Sequence, residues 1–209
     1  MQGYDTHPAF SRQGVLAWLS MKRDGYEADK EDIIVKIGDQ IINLTENWDG
    51  TVNSFHWKGD GSGLYFNAPV DGTIQLFEVN LPGKSKKAPV VNQITQGVFD
   101  VKSIVGISGN TMVISRTDMN HADELYMVNL ADGSMKQLTH INDKVYEGLA
   151  MSKVEKRYVT TTDGKQMLVW VIYPPDFDPK KKYPALLYCQ GGPQSALSQF
   201  YSFRWNFQL

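Results

Sequence analysis

The strongest chemical pattern in the sequence is Ala185-Leu186-Leu187-Tyr188-Cys189-Gln190-Gly191-Gly192-Pro193. Ala185 to Cys189 is a short, almost uninterrupted apolar run, the pattern of a strand buried on both faces. Glycines directly after such a strand let the backbone turn sharply and leave amide N–H groups free to face a ligand. Gln190 and Gly191 open that turn, and the Gln190 side chain adds an amide donor of its own. Beyond the turn, Leu197, Phe200, Tyr201, Arg204, Trp205 and Gln208 fall at helical spacing, which predicts a helix packed on a sheet.

The other reactive residue types do not form a second centre. No G-x-S-x-G nucleophile elbow occurs: Gly61-Ser62-Gly63 and Gly106-Ile107-Ser108-Gly109 have other spacings. His7, His56, His121 and His140 are expected to be loop or strand residues, and Ser195, Ser198 and Ser202 loop or helix-start residues. Cys189, the single cysteine, has no partner for an internal disulfide and reads as a small buried hydrophobe. Asp24, Glu27, Asp29, Glu31 and Asp32 make an acidic loop, for which a solvated hairpin is a simpler account than a metal or amine site. Trp18, Trp48, Trp57 and Trp170 read as packing residues.

Composition narrows the classes further. The 209 residues are 42% hydrophobic and 21% charged, ordinary for a globular protein, with a formal net charge of −2. No basic stripe advertises a nucleic-acid surface. No apolar run approaches the roughly 18 residues that span a bilayer, and nothing in the pattern calls for a metal or an organic cofactor. The first residues lack the charged and apolar regions of a signal peptide. Both ends have the character of cut points within a longer chain.

The elements that would position the turn are written as a repeat. Leu44-Thr45, Ile94-Thr95 and Leu138-Thr139 recur at separations of 50 and 44 residues, each after a strand-like segment: 33–37, 74–79 and 124–128. A second series, starting at Leu16, Leu64 and Met112, is spaced by 48 residues twice, and each member follows a glycine-bearing turn. β-Branched and aromatic strands joined by tight turns at a period of about 40–50 residues fit the blades of a β-propeller. About three blades fit before Gly148, fewer than the roughly four to eight of a closed ring. After it the pattern changes. Val154 to Thr162 and Gln166 to Tyr173 alternate like two strands about an Asp163-Gly164 turn, and Pro174-Pro175 begins a loop.

Propeller-like repeats, the Thr162-Asp163-Gly164 hairpin with its Tyr173-Pro174-Pro175 exit, and Lys182-Tyr183-Pro184 leading into Gln190-Gly191-Gly192-Pro193 follow one another in this order. The sequence thereby resembles the prolyl oligopeptidase family of serine peptidases, and within it the bacterial dipeptidyl aminopeptidases and acylaminoacyl peptidases. The resemblance implies a mainly β chain: C-terminal propeller blades over residues 1–149, then the N-terminal strands of a truncated α/β-hydrolase domain over 150–209. It implies serine acyl transfer on peptide N-termini, with Gln190 and Gly191 in the oxyanion-hole loop and the Ser, Asp and His of the triad outside this chain. Relatives commonly carry Tyr or His at the place of Gln190, so either its side-chain amide or a loop N–H is left as the donor. The implied partner is a peptide substrate, with room for a homodimer of the intact protein. The implied compartment is periplasmic or extracellular, with the cytoplasm as alternative. A non-catalytic propeller that binds peptide or protein is the rival reading.

Overall fold

In a computed structural model of the chain, residues 3–83, 88–189 and 196–204 are described. The first blade consists of β1 (Asp5–Phe10), β2 (Leu16–Ser20), β3 (Asp32–Ile37) and β4 (Gln40–Asn43). The second contains β5 (Ser54–Trp57), β6 (Gly63–Val70), β7 (Thr73–Asn80) and β8 (Val91–Gln93). In the third, β9 (Asp100–Ser108), β10 (Thr111–Thr117), β11 (Glu124–Asn129) and β12 (Met135–Gln137) repeat the pattern. Each is an antiparallel meander, and a single parallel pairing, Ile74 with Asp100, ties the second blade to the third. One helical turn, α1 (Asp143–Tyr146), precedes a two-stranded hairpin of β13 (Lys153–Thr160) and β14 (Gln166–Tyr173).

Blades stack because their central strands are apolar on the faces that meet. Ala17, Leu19, Ile33 and Val35 of the first blade close against Leu64, Phe66, Phe77 and Val79 of the second. Phe66 stacks on Phe77 at 5.5 Å between ring centroids, with Trp48 edge-on to Phe66 at 5.4 Å. On the opposite face of β7, Leu76 joins Val101, Met112, Ile114 and Val128 of the third blade. The middle blade is therefore covered on both sides, which accounts for the nearly continuous apolar character of β7.

The Leu-Thr repeat has a mechanical reason. In the first blade the Leu44 N–H donates to the Ile33 carbonyl at 2.8 Å. Thr45 Oγ1 accepts the Ile33 N–H at 3.0 Å and donates to Asp32 at 2.7 Å. The second blade repeats the knot: Ile94 N–H to Leu76 at 2.8 Å, Leu76 N–H to Thr95 at 2.9 Å, and Thr95 to Gln75 at 2.8 Å. Leu138, Thr139, Leu125 and Glu124 form the third copy. A hydroxyl can accept a backbone N–H and donate to a side chain at once, so each threonine satisfies two polar groups where the outer strand ends.

Two expectations for the C-terminal stretch are corrected. Ala185 to Cys189 is neither a strand nor buried: Leu186 is 100% exposed, Leu187 86%, and Cys189 is also exposed. A strand buried on both faces exists only between neighbouring strands, and among the described residues β13 and β14 pair only with each other. Residues 196–204 are not helical either. Ser198 and Gln199 bond to Asp100 and Met119 of the third blade, and Trp205 and Gln208 lie outside the described residues.

Candidate functional site

One end of the blades receives the rest of the chain. β7 and β9 run parallel, so their first residues lie at the same end, together with the β6–β7 turn and the β10–β11 connection. The hairpin leans on the β6–β7 turn, where Asp71 (φ 47°) and Gly72 (φ 75°) have the paired positive φ of a tight Asp-Gly hairpin. A Cβ on Gly72 would come within 2.9 Å of Leu168, so glycine permits this approach as well as the turn. Asp71 accepts from Lys156 Nζ at 2.6 Å and from the Tyr158 hydroxyl. These hydrogen bonds, that of Lys156 first, hold its carboxyl below the usual range.

The third blade holds residues 198–201. Asp100, at the start of β9, is 3% exposed. Its Oδ1 accepts the Ile74 N–H at 2.8 Å, its Oδ2 accepts the Ser198 hydroxyl at 2.6 Å, and the Gln199 N–H donates to the same carboxylate. Burial pushes the Asp100 carboxyl up, against the downward pull of these donors. Gln199 is 1% exposed, and its Oε1 accepts the Met119 N–H at 3.4 Å. Next to it, Asn120 Nδ2 donates to the Ser152 carbonyl at 2.8 Å. Tyr146 of α1 accepts the Ala122 N–H at 2.8 Å and is hydrogen-bonded to Tyr201.

Gln190 and Gly191, the candidate oxyanion-loop residues, lie outside the described residues, as do Gly192, Pro193 and Ser195. Of the described residues on either side, Leu186 to Cys189 are exposed, and Ser198 and Gln199 are hydrogen-bonded to the third blade. Sequence reasoning gave no role to Asp100, Tyr146 or Gln199. A lone buried acid at a strand start carries no periodic signal, so only its position at the blade contact exposes it. The histidines remain peripheral. His7 (φ 54°) stands at an irregularity of β1, and His140 pairs with Asp143 at 2.9 Å. His56 is exposed on β5. His121 bonds Asp118 at 2.8 Å, an interaction that raises its pKa, and it stands edge-on to Tyr146 at 5.1 Å. Acidic-loop residues serve structure: Asp29 pairs with Arg23, and Asp32 belongs to the first threonine knot. Among the described residues no helix is long and apolar enough to cross a membrane.

Successive four-stranded antiparallel blades followed by a hairpin define part of a β-propeller protein. The family model for the dipeptidyl peptidase IV N-terminal region matches residues 24–168. The chain belongs to that family, and with it to the prolyl oligopeptidase family. It is 41% identical over its whole length to dipeptidyl-peptidase 5 of Porphyromonas gingivalis, covering 30% of that protein. To dipeptidyl-peptidase 5 of Porphyromonas endodontalis it is 42% identical over 99% of its length, covering 29% of the relative. Among solved structures, the acylaminoacyl peptidase of Pyrococcus horikoshii matches 95% of this chain with 29% of its own, at a TM-score of 0.73 and 16% identity, a likeness of fold. The chain thus spans about 30% of the length of the curated relatives it matches.

Proposed function

We propose that the chain is the propeller-to-hydrolase portion of a serine exopeptidase that releases dipeptides or other short pieces from peptide N-termini through an acyl-enzyme. The observation that carries this reading is the 41% identity to a dipeptidyl-peptidase 5 across the whole of this chain. Residues 1–149 are the blades and 150–209 open the hydrolase domain. Gln190 and Gly191 belong to the loop that donates hydrogen bonds to the tetrahedral oxyanion, opposite a serine outside this chain. The blades restrict access to peptides, and the full-length protein works in the periplasm or outside the cell.

Two experiments test the reading. The 209-residue chain is expected to show no hydrolysis of a fluorogenic dipeptide substrate; turnover blocked by a serine-directed phosphonate would overturn that. In the full-length enzyme, Gln190→Ala is expected to lower kcat by roughly 10²-fold if the side chain donates to the oxyanion. Unchanged turnover in both Gln190→Ala and Gln190→Glu assigns the donor to the loop backbone.

A further inference from the structure

We propose that the outer face of the β13–β14 hairpin, with the loop that follows it, binds a small zwitterionic peptide of dipeptide size, both of its ends free. Arg157, Tyr173 and Lys153 take the carboxylate, Asp176 takes the ammonium, and Phe177 packs on the apolar body between them. The inference stands on these residues and does not depend on the peptidase reading.

The hairpin uses its two faces differently. Lys156 and Tyr158 bond Asp71, and Leu168 and Trp170 approach Gly72, so this face meets the blades. Side chains alternate along a strand, so Lys153, Glu155 and Arg157 share the other face, and Tyr173, opposite Lys153 in the ladder, joins them. Over this outer face the chain turns back. Asp176 adopts a φ of 57°, uncommon outside glycine but tolerated by aspartate. Phe177 then packs on Tyr173 at 4.5 Å and on Tyr183 at 5.1 Å between ring centroids. The Tyr183 hydroxyl accepts the Asp178 N–H at 3.0 Å, and Pro174, Pro175 and Pro179 stiffen the loop. Between loop and hairpin lies a cavity of about 490 Å³, within the range of preformed small-molecule sites.

The polar groups of its wall decide what it can hold. Glu155 is already satisfied: it accepts Arg157 Nε at 2.9 Å and pairs with Lys153 Nζ at 3.3 Å. The Arg157 hydrogen bond holds the Glu155 carboxyl below its usual range. Arg157 Nη2 donates to the Tyr173 hydroxyl. A hydroxyl that accepts from a guanidinium still has its own hydrogen to give, and both cations keep further N–H groups. Together these donors suit a carboxylate, which a guanidinium binds through its planar fork. On the loop side, Asp176 has no hydrogen-bond partner among the described residues, which leaves an acceptor for an ammonium. Two cations and two carboxylates make the site neutral overall. A multiply charged anion such as phosphate would be opposed by Glu155 and Asp176, and a purely apolar ligand would leave the donors unpaired. A ligand with one charge of each sign and an apolar body matches both walls.

The test is calorimetric titration of the full-length protein that carries this chain. Alanyl-phenylalanine is expected to bind, and to bind about tenfold or more weakly once it is N-acetylated or C-amidated. Arg157→Met should weaken the free dipeptide by about tenfold and leave the C-amidated one within about twofold, since no carboxylate remains to be met. Asp176→Asn should show the complementary selectivity, weakening the free dipeptide and sparing the N-acetylated one. The Arg157 side chain is 54% exposed and Asp176 is also exposed, so the melting temperature is expected to stay level in both variants. Absence of binding at millimolar dipeptide, or equal binding of the three peptides by wild type, overturns the proposal. So does a free-dipeptide affinity that neither substitution changes, because binding then lies elsewhere. The titration needs no hydrolysis, so a full-length protein that releases no dipeptides would sink the peptidase reading and leave this test intact.

Discussion

Thr95 shows how much a single hydroxyl can carry in this molecule. It is 1% exposed, accepts the Leu76 N–H and donates to Gln75, itself 1% exposed. Thr95→Val keeps the shape and strands both partners, and each buried unpaired group costs about 1–3 kcal/mol. The expected loss is about 2–4 kcal/mol, read as a lower urea midpoint with unchanged slope. Thr139 occupies the same position in the third blade but is half-buried, and its partner Glu124 also accepts the Ile141 N–H at 2.9 Å. Thr139→Val should therefore cost clearly less, and equal losses would show that burial does not set the scale. His121 carries a second prediction at this scale. The Asp118 hydrogen bond raises its pKa above the ordinary histidine value of 6.5. The stabilising contribution is therefore complete below about pH 6.5 and is lost as pH rises through the higher folded value. Asp118→Asn should lower the His121 titration midpoint, followed by NMR, and an unmoved midpoint would disprove the assignment.

Elements differ in how far local sequence determines them. The three copies of strand, turn and Leu-Thr were legible because one physical requirement, capping the outer strand with a hydroxyl, is written three times. The β13–β14 hairpin was legible from alternation and its Asp163-Gly164 turn, and Gln166–Tyr173 matches the expected second strand residue for residue. Ala185 to Cys189 misled, since a continuous apolar run states what a strand needs, not whether its neighbours are present. The helical spacing of Leu197, Phe200 and Tyr201 does not produce a helix there; the Gln199 backbone N–H is taken by Asp100 on the third blade. Docking of the hairpin rests on Asp71, whose lowered pKa has the opposite sign to that of His121. Its contribution is present above the ordinary aspartate value of 3.8 and is lost as pH falls through the lower folded value. The Asp71 and Lys156 side chains are 51% and 26% exposed, so solvent screening keeps the pair below about 1 kcal/mol. Wild type should melt slightly above Asp71→Asn at pH 6, with the gap closing toward pH 3. A gap independent of pH would assign the hairpin's docking to Leu168 and Trp170 packing on Gly72.

At the scale of the molecule, the contrast between its two ends decides what this chain can do alone. The blades bury two apolar clusters, one on each face of the middle blade, with Phe66 in one and Leu76, Met112 and Ile114 in the other, each essentially inaccessible. The approach to the Gln190–Pro193 turn exposes Leu186 and Leu187 almost completely. On the proposed reading these adjacent leucines belong to a buried strand and pack against a neighbouring sheet. That sheet is the remainder of the hydrolase sheet, carried by the part of the protein beyond the roughly 30% of its relatives' length represented here. Replacing both leucines by serine then has opposite consequences in two contexts. In the 209-residue chain the substitutions remove exposed apolar surface, so the melting temperature should hold within about a degree and aggregation should fall. In the full-length enzyme they would empty two buried positions, with about 2–5 kcal/mol lost at each and with it dipeptide turnover. Measuring both proteins in parallel separates the cases: a full-length variant as stable and active as wild type would mean that Leu186 and Leu187 are not strand residues of a hydrolase core, and the turn after them would lose its claim to the oxyanion.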